Sequence, residues 1–181
     1  MRRDQALAIV IEKVNNEILI KHMLAVEAIM RELASKKYAN ENRWGLAGLL
    51  HDIDYTETAC DPKCHGLISA KTLEKLNVGR DIVYAIKAHA GHVPCVGDVD
   101  WALYASDPTA GLISAAALTH PTKKLSNLDI QFVINRFNEK RFALGVDRNQ
   151  IRACEKLGFT LEEFMEVALT GMQKIAPDLG L

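Results

Sequence analysis

The sequence predicts an all-α fold, a helical bundle of about eight helices. Three observations carry this expectation. Apolar residues recur every three to four positions along nearly the whole chain, the period of one helix face. No run alternates apolar and polar residues long enough for a strand. Breaks such as Asn15-Asn16, "NVGRD" and "HVPCVGD" cut the chain into helix-length pieces.

The first helix is expected from about Asp4 to Val14, with Leu7, Val10, Ile11 and Val14 on one face. A second runs from about Glu17 to Lys36. Its apolar stripe is Ile18, Leu19, His22, Val26, Ile29 and Leu33, so His22 lies within the buried face. A third runs from Glu41 to about His51, where Trp44, Ala47 and Gly48 share a face with His51. Residues 54–64 read as a polar loop containing a proline. The fourth helix runs from about His65 to Leu76, with His65, Ile68, Ser69, Thr72 and Leu76 facing inward. Asp81 is placed to cap the fifth, which aligns Ile82, Ile86 and His89. A sixth starts near Asp98 and is expected to kink or restart at Pro108, which cannot donate to the Tyr104 carbonyl. Two later helices carry capping-box pairs, Asp147 with Gln150 and Thr160 with Glu163, the last ending near Pro177.

No linker or repeat divides the 181 residues, so the whole chain, 1–181, is expected to form one domain. The site is expected within about residues 18–118, and the C-terminal helices over about 127–176. Hydrophobic residues make up 49% and charged residues 25%, which excludes a disordered chain. A formal net charge of −1 gives no reason to expect a nucleic-acid polymer or an anionic membrane surface as partner. No apolar run reaches the roughly 18 residues of a membrane span. The segment "MRRDQALAIVIEKV" is interrupted by Glu12 and Lys13 and lacks a small-residue cleavage site, so it reads as an amphipathic helix and the chain as cytoplasmic. Nothing in the sequence sets the oligomeric state.

In "GLLHDIDY", residues 48–55, an imidazole and two carboxylates end an apolar helix. Buried charge must pair, neutralise or bind a cation. His22, His51, His65 and His89 all fall on apolar faces of different helices. One shared divalent cation satisfies several buried imidazoles at once. Asp52 and Asp107 add carboxylates, and the mixed N/O donor set suits a borderline or hard divalent ion with open water positions. Asp52 stands at a helix C-terminus, which disfavours an anion unless a cation is beside it. Asp107 also reads as an N-cap for a helix beginning at Pro108, and Asp54 as an ordinary loop carboxylate.

His22, then His51-Asp52, then Asp107, on a helical chain of this size, resembles the HD superfamily of metal-dependent phosphohydrolases. "HDID" is similar to the HDIG subgroup, with Asp54 in place of the glycine. The resemblance implies a helical HD-domain bundle and one or two divalent ions, Mn, Fe, Co, Ni, Mg or Zn. It implies that His22, His51, Asp52 and Asp107 hold the first ion. In two-metal members Asp52 bridges to a second, and His65 and His89 are the residues placed to hold it. Catalytic roles then fall on Asp52, His65 and His89, the histidines either as ligands or as proton donors to the leaving group. The implied reaction is attack of a metal-activated water on a small phosphate ester, a nucleotide or cyclic nucleotide. Lys124 and Arg141 are candidates for contact with the substrate phosphate.

Two other readings predict different outcomes. A helical signalling module would keep the metal- or nucleotide-binding fold without turnover. A structural zinc site from Cys60, Cys64 and Cys95, next to His65, would staple a small interaction protein.

Overall fold

A computed structural model describes residues 1–59, 61 and 63–181. The described residues are helical, without strands. Eight helices have nine residues or more: α1 (Arg3–Lys13), α2 (Glu17–Lys36), α3 (Glu41–Leu50), α5 (Leu67–Lys75), α6 (Arg80–His89), α7 (Asp98–Thr119), α8 (Ile130–Asn138) and α10 (Leu161–Lys174). Short turns α4 (Tyr55–Thr58), α9 (Arg148–Arg152) and α11 (Ala176–Leu179), with two 3₁₀ turns, raise the number above the eight expected. No described helix is long and apolar enough to cross a membrane.

α2 forms the axis of the packing and lies against α3, α7 and α10. Its start is set locally: the Asn16 side chain accepts from the backbone N–H groups of Ile18 and Leu19. At mid-length, two glycines let neighbouring helices close on it. A Cβ at Gly48 of α3 would lie 2.9 Å from the Glu27 backbone, and one at Gly171 of α10 would lie 2.8 Å from the Ala28 carbonyl oxygen. Glu27, buried between them, pairs with Arg3 at 2.7 Å and Arg31 at 2.8 Å, which offsets its desolvation. Gly48→Ala and Gly171→Ala are each expected to cost about 1–3 kcal/mol by forcing helices apart. Thermal denaturation should show each as a Tm loss of about 2–4 °C per kcal/mol in a chain of this length.

Several faces differ from the sequence expectation. On α1 the buried residues are Ala6 and Val10, followed by Val14, and Ile11 is exposed. On α5 they are Ser69, Ala70 and Leu73, while Ile68 and Leu76 face outward. A short helix with apolar residues on several sides does not specify which side is covered; the neighbouring helices decide. Gly79, not Asp81, occupies the N-cap of α6, and Asp81 in its first turn pairs with Arg43. The loop expected over 54–64 contains the single turn α4. Thr160 and Glu163 form a reciprocal capping box, whereas Asp147 caps α9 without a returning bond from Gln150.

α7 runs unbroken for 22 residues through Pro108. Pro108 removes one backbone donor, yet flanking turns packed against α2, α6 and α9 hold the helix together. Asp107 is therefore a mid-helix residue and not an N-cap.

Candidate metal centre

Three helix ends and two helix interiors deliver the polar cluster. His51 follows the last residue of α3, His89 is the last of α6, and His65 lies two residues before α5. His22 comes from α2 and Asp107 from α7. Consecutive helix residues diverge by about 100°, but α3 ends at Leu50, and the turn at 51–54 directs His51 and Asp52 to the same place.

Asp52 is the centre of the arrangement. Its Oδ1 lies 3.2 Å from His51 Nε2, 3.4 Å from His65 Nε2 and 3.6 Å from His89 Nε2. Its Oδ2 lies 3.9 Å from His22 Nε2. Asp107 Oδ1 is 3.0 Å from His22 Nε2 and 3.7 Å from His51 Nε2. All six residues named from the sequence thus meet. Two groups of donor atoms, His22/His51/Asp107 and His51/Asp52/His89, are each compact enough to hold one ion.

The ring orientations are locked from behind. His51 Nδ1–H donates to the Gly48 carbonyl at 2.8 Å, and His89 Nδ1–H to the Ile86 carbonyl at 2.5 Å. Each ring then turns its Nε2 into the cluster, where both atoms are buried without a hydrogen-bond partner. An unsatisfied buried acceptor costs about 1–3 kcal/mol. A divalent cation satisfies both lone pairs and both carboxylates, so the residues present fit a metal of the borderline or hard class.

The electrostatics agree. Burial opposes charge on His51, but Asp52 and Asp107 outweigh it and hold its pKa well above the ordinary histidine value. Burial likewise opposes charge on Asp52, yet the imidazoles of His51 and His89 hold it well below the carboxylate range. Asp107 is held low in the same way, by His22 and His51 against its burial. The pocket requires positive charge, supplied by protons when no metal is there.

Asp54 corrects the sequence reading. It is 1% exposed, not a solvated loop carboxylate. Its Oδ2 accepts from Ser69 N–H at 2.8 Å and its Oδ1 from His65 Nδ1–H at 3.1 Å. Its own N–H donates to Ser69 Oγ, and the Thr58 hydroxyl donates to its carbonyl. Burial raises its pKa, but the bonds from His65 and Ser69 win and keep it ionised. This is a carboxylate orienting an imidazole from behind. His92 adds a second hold, its Nε2–H donating to the His65 carbonyl at 2.7 Å. Gly66 continues the turn with φ of 77°, where a Cβ would come 2.8 Å from Ala90 Cβ. Only the placement of Ser69 on an inward face hinted at this arrangement.

A cavity of about 640 Å³ opens above the cluster, with His22, Asp52, His65 and Asp107 in its wall. Lys124 and Arg141, expected at the substrate phosphate, are exposed and do not line it. No Lys or Arg does. Arg136, from the same basic segment, instead pairs with Glu139 and stacks on Phe132 and Phe142.

The zinc-staple reading finds no support among the described residues; Cys60 lies outside them. Cys64 donates to Asp61, and neither Cys64 nor Cys95 belongs to a group able to hold a metal. Burial pushes the Cys95 thiol up to about 11.

A helical bundle with an inward cluster of histidines and aspartates under an open cavity defines the class: a helical protein with a site fit for divalent metal. The HD domain model matches residues 19–120, more than half of the chain, and the chain belongs to this family of metal-dependent phosphohydrolases. The matched segment encloses all six cluster residues. Ribonuclease Y of Oleidesulfovibrio alaskensis is 28% identical over 114 residues, which is 61% of this chain and 22% of that protein. The chain thus spans under a quarter of that relative's length. No solved structure matches it.

Proposed function

We propose that this protein hydrolyses a small phosphate ester, a nucleotide or cyclic nucleotide, with water activated by divalent metal. The observation that carries the reading is the pair of buried, partnerless Nε2 atoms of His51 and His89, aimed at Asp52. In this reading His22, His51, Asp52 and Asp107 hold one ion. A second ion would be held by Asp52 together with His89 and His65. Bound ions supply Lewis acidity, lowering the pKa of water and offsetting charge on a phosphoryl oxygen. The chain's own residues do the rest. The backbone bonds of His51 and His89 keep their rings from swinging. Asp54 directs the proton of His65 to Nδ1 and leaves Nε2 as a lone pair, which favours ligand over proton donor. His22 and Asp107 are partly exposed at the cavity wall, where an ester can reach the centre.

The name of the relative favours an RNA phosphodiester as a second reading. The net charge of −1 and a cavity wall without Lys or Arg count against a polymer. Free thiols at Cys64, Cys95 and Cys154 suit a reducing compartment, so a cytoplasmic location is part of the proposal.

Elemental analysis of anaerobically purified protein, with turnover of a phosphoester panel, tests the reading. We expect about two ions per chain, about half as much in His65→Ala, and hydrolysis that chelation abolishes. Chelation should also lower Tm by about 5–10 °C, because an ion at 100 times its Kd stabilises by about 2.7 kcal/mol. Bound metal without turnover of any ester would favour a signalling module instead.

A further inference from the structure

The cavity has a second end that the metal chemistry does not use. Ile18 and Leu19 of α2, Pro108 and Gly111 of α7, and Val146 before α9 form its apolar walls. Ile18 is 81% exposed although it heads the apolar stripe that ends in the buried Val26, Ile29 and Leu33. Gly111 stands in mid-helix, where glycine weakens a helix. A Cβ there would meet only Val146 Cγ2, at 3.8 Å. Unlike Gly48 and Gly171, it is not required by a neighbouring backbone. What it provides is room on the cavity floor. The opposite wall is held in place, since Arg148 donates to the carbonyls of Phe142, Ala143 and Val146.

The polar groups at this end are neutral or acidic. Asn16 uses its side-chain oxygen to cap α2, which leaves its NH₂ group to donate. Gln150 also lines the wall; its backbone N–H donates to Asp147, while its side-chain amide makes no hydrogen bond within the described residues. Asp147 brings a carboxylate, one oxygen of which caps α9. The two undescribed residues, Cys60 and Pro62, add no positive charge.

We infer that this end seats the uncharged organic part of an ester carrying a single phosphate, such as a nucleoside monophosphate, and rejects polyphosphates. The inference rests on the phosphohydrolase reading. One phosphate faces the His/Asp centre, where cations are held. A second or third phosphate lies where no cationic side chain meets it and Asp147 repels it, in a cavity only partly screened by solvent. The uncharged ring of a nucleobase, by contrast, lays its faces over Ile18, Leu19 and Val146, and its ring nitrogens and oxygens accept hydrogen bonds from the side-chain amides of Asn16 and Gln150.

The test compares AMP with ATP, each supplied as its magnesium complex to metal-loaded protein. We expect kcat/KM for AMP to exceed that for ATP by at least about tenfold. Gln150→Lys should raise the ATP-to-AMP ratio several-fold by adding a cation to the wall. Gly111→Leu should lower kcat/KM for AMP by about tenfold or more through lost room, with helicity and metal content kept. Equal or better use of ATP by the wild type, or an unmoved ratio in Gln150→Lys, overturns the inference and leaves the phosphohydrolase reading standing. Should no ester turn over, that reading fails, and calorimetric affinities for the same two nucleotides decide the inference: tighter ATP binding overturns it.

Discussion

Asp52→Ala should remove the metal and lower turnover by at least about 10³-fold, with the helical fold kept. Asp52 Oδ1 is the point on which His51, His65 and His89 converge, and Oδ2 faces His22. Among the described residues no other carboxylate lies within 4 Å of all four histidines. The fold survives because Asp52 contributes no apolar packing; α3 is anchored by Trp44, Ala47, Leu49 and Leu50, all in the core. The metal-free variant should melt below metal-free wild type, because it leaves the buried imidazoles of His51 and His89 without their anion, yet keep its helical circular dichroism. The deciding difference lies in the response to added metal: Tm rises in the wild type and stays put in the variant. A variant that kept its metal would displace Asp52 from the centre of the mechanism.

Asp54→Asn should cost about 10–100-fold in activity or metal affinity, the range seen when groups behind a metal ligand are changed. The argument is about tautomers. The aspartate only accepts, so His65 carries its proton on Nδ1 and offers Nε2 toward Asp52. Asparagine still accepts from Ser69 N–H with its oxygen, which preserves the turn. Its NH₂ then faces His65 Nδ1, which must become the acceptor, and the imidazole proton moves to Nε2. A lone pair is replaced by an N–H at the metal-facing position. Metal analysis separates this from a purely structural effect, because the ion beside His65 should be lost first while circular dichroism stays unchanged. Asp54→Ala is expected to be worse for stability, by about 1–3 kcal/mol, since it leaves Ser69 N–H buried without an acceptor.

These two aspartates show how far the sequence could be read. His22, His51, His65 and His89 stood out because each is a polar residue on an apolar helical face, and Asp52 because it ends one; Asp107 entered through the resemblance to the HD pattern, since locally it read as an N-cap. Asp54 did not stand out, since its partners are a histidine 11 residues on and a backbone N–H 15 residues on, and no local pattern predicts either bond. Lys124 and Arg141 were misleading for the opposite reason: basic residues are common on solvated surfaces, and sequence does not say which surface a cavity opens onto.

Helix existence follows from bonds between residues four apart and from a 3.6-residue apolar period, both written locally in the chain, so the all-α class and the extent of α2 were determined by the sequence alone. The exposure of Ile11, Ile18, Ile68 and Leu76, the unbroken course of α7 through Pro108 and the close approach at Gly48 and Gly171 were decided only by tertiary structure. Each depends on which helix lies opposite, and that choice is made by the joint packing of side chains far apart in sequence.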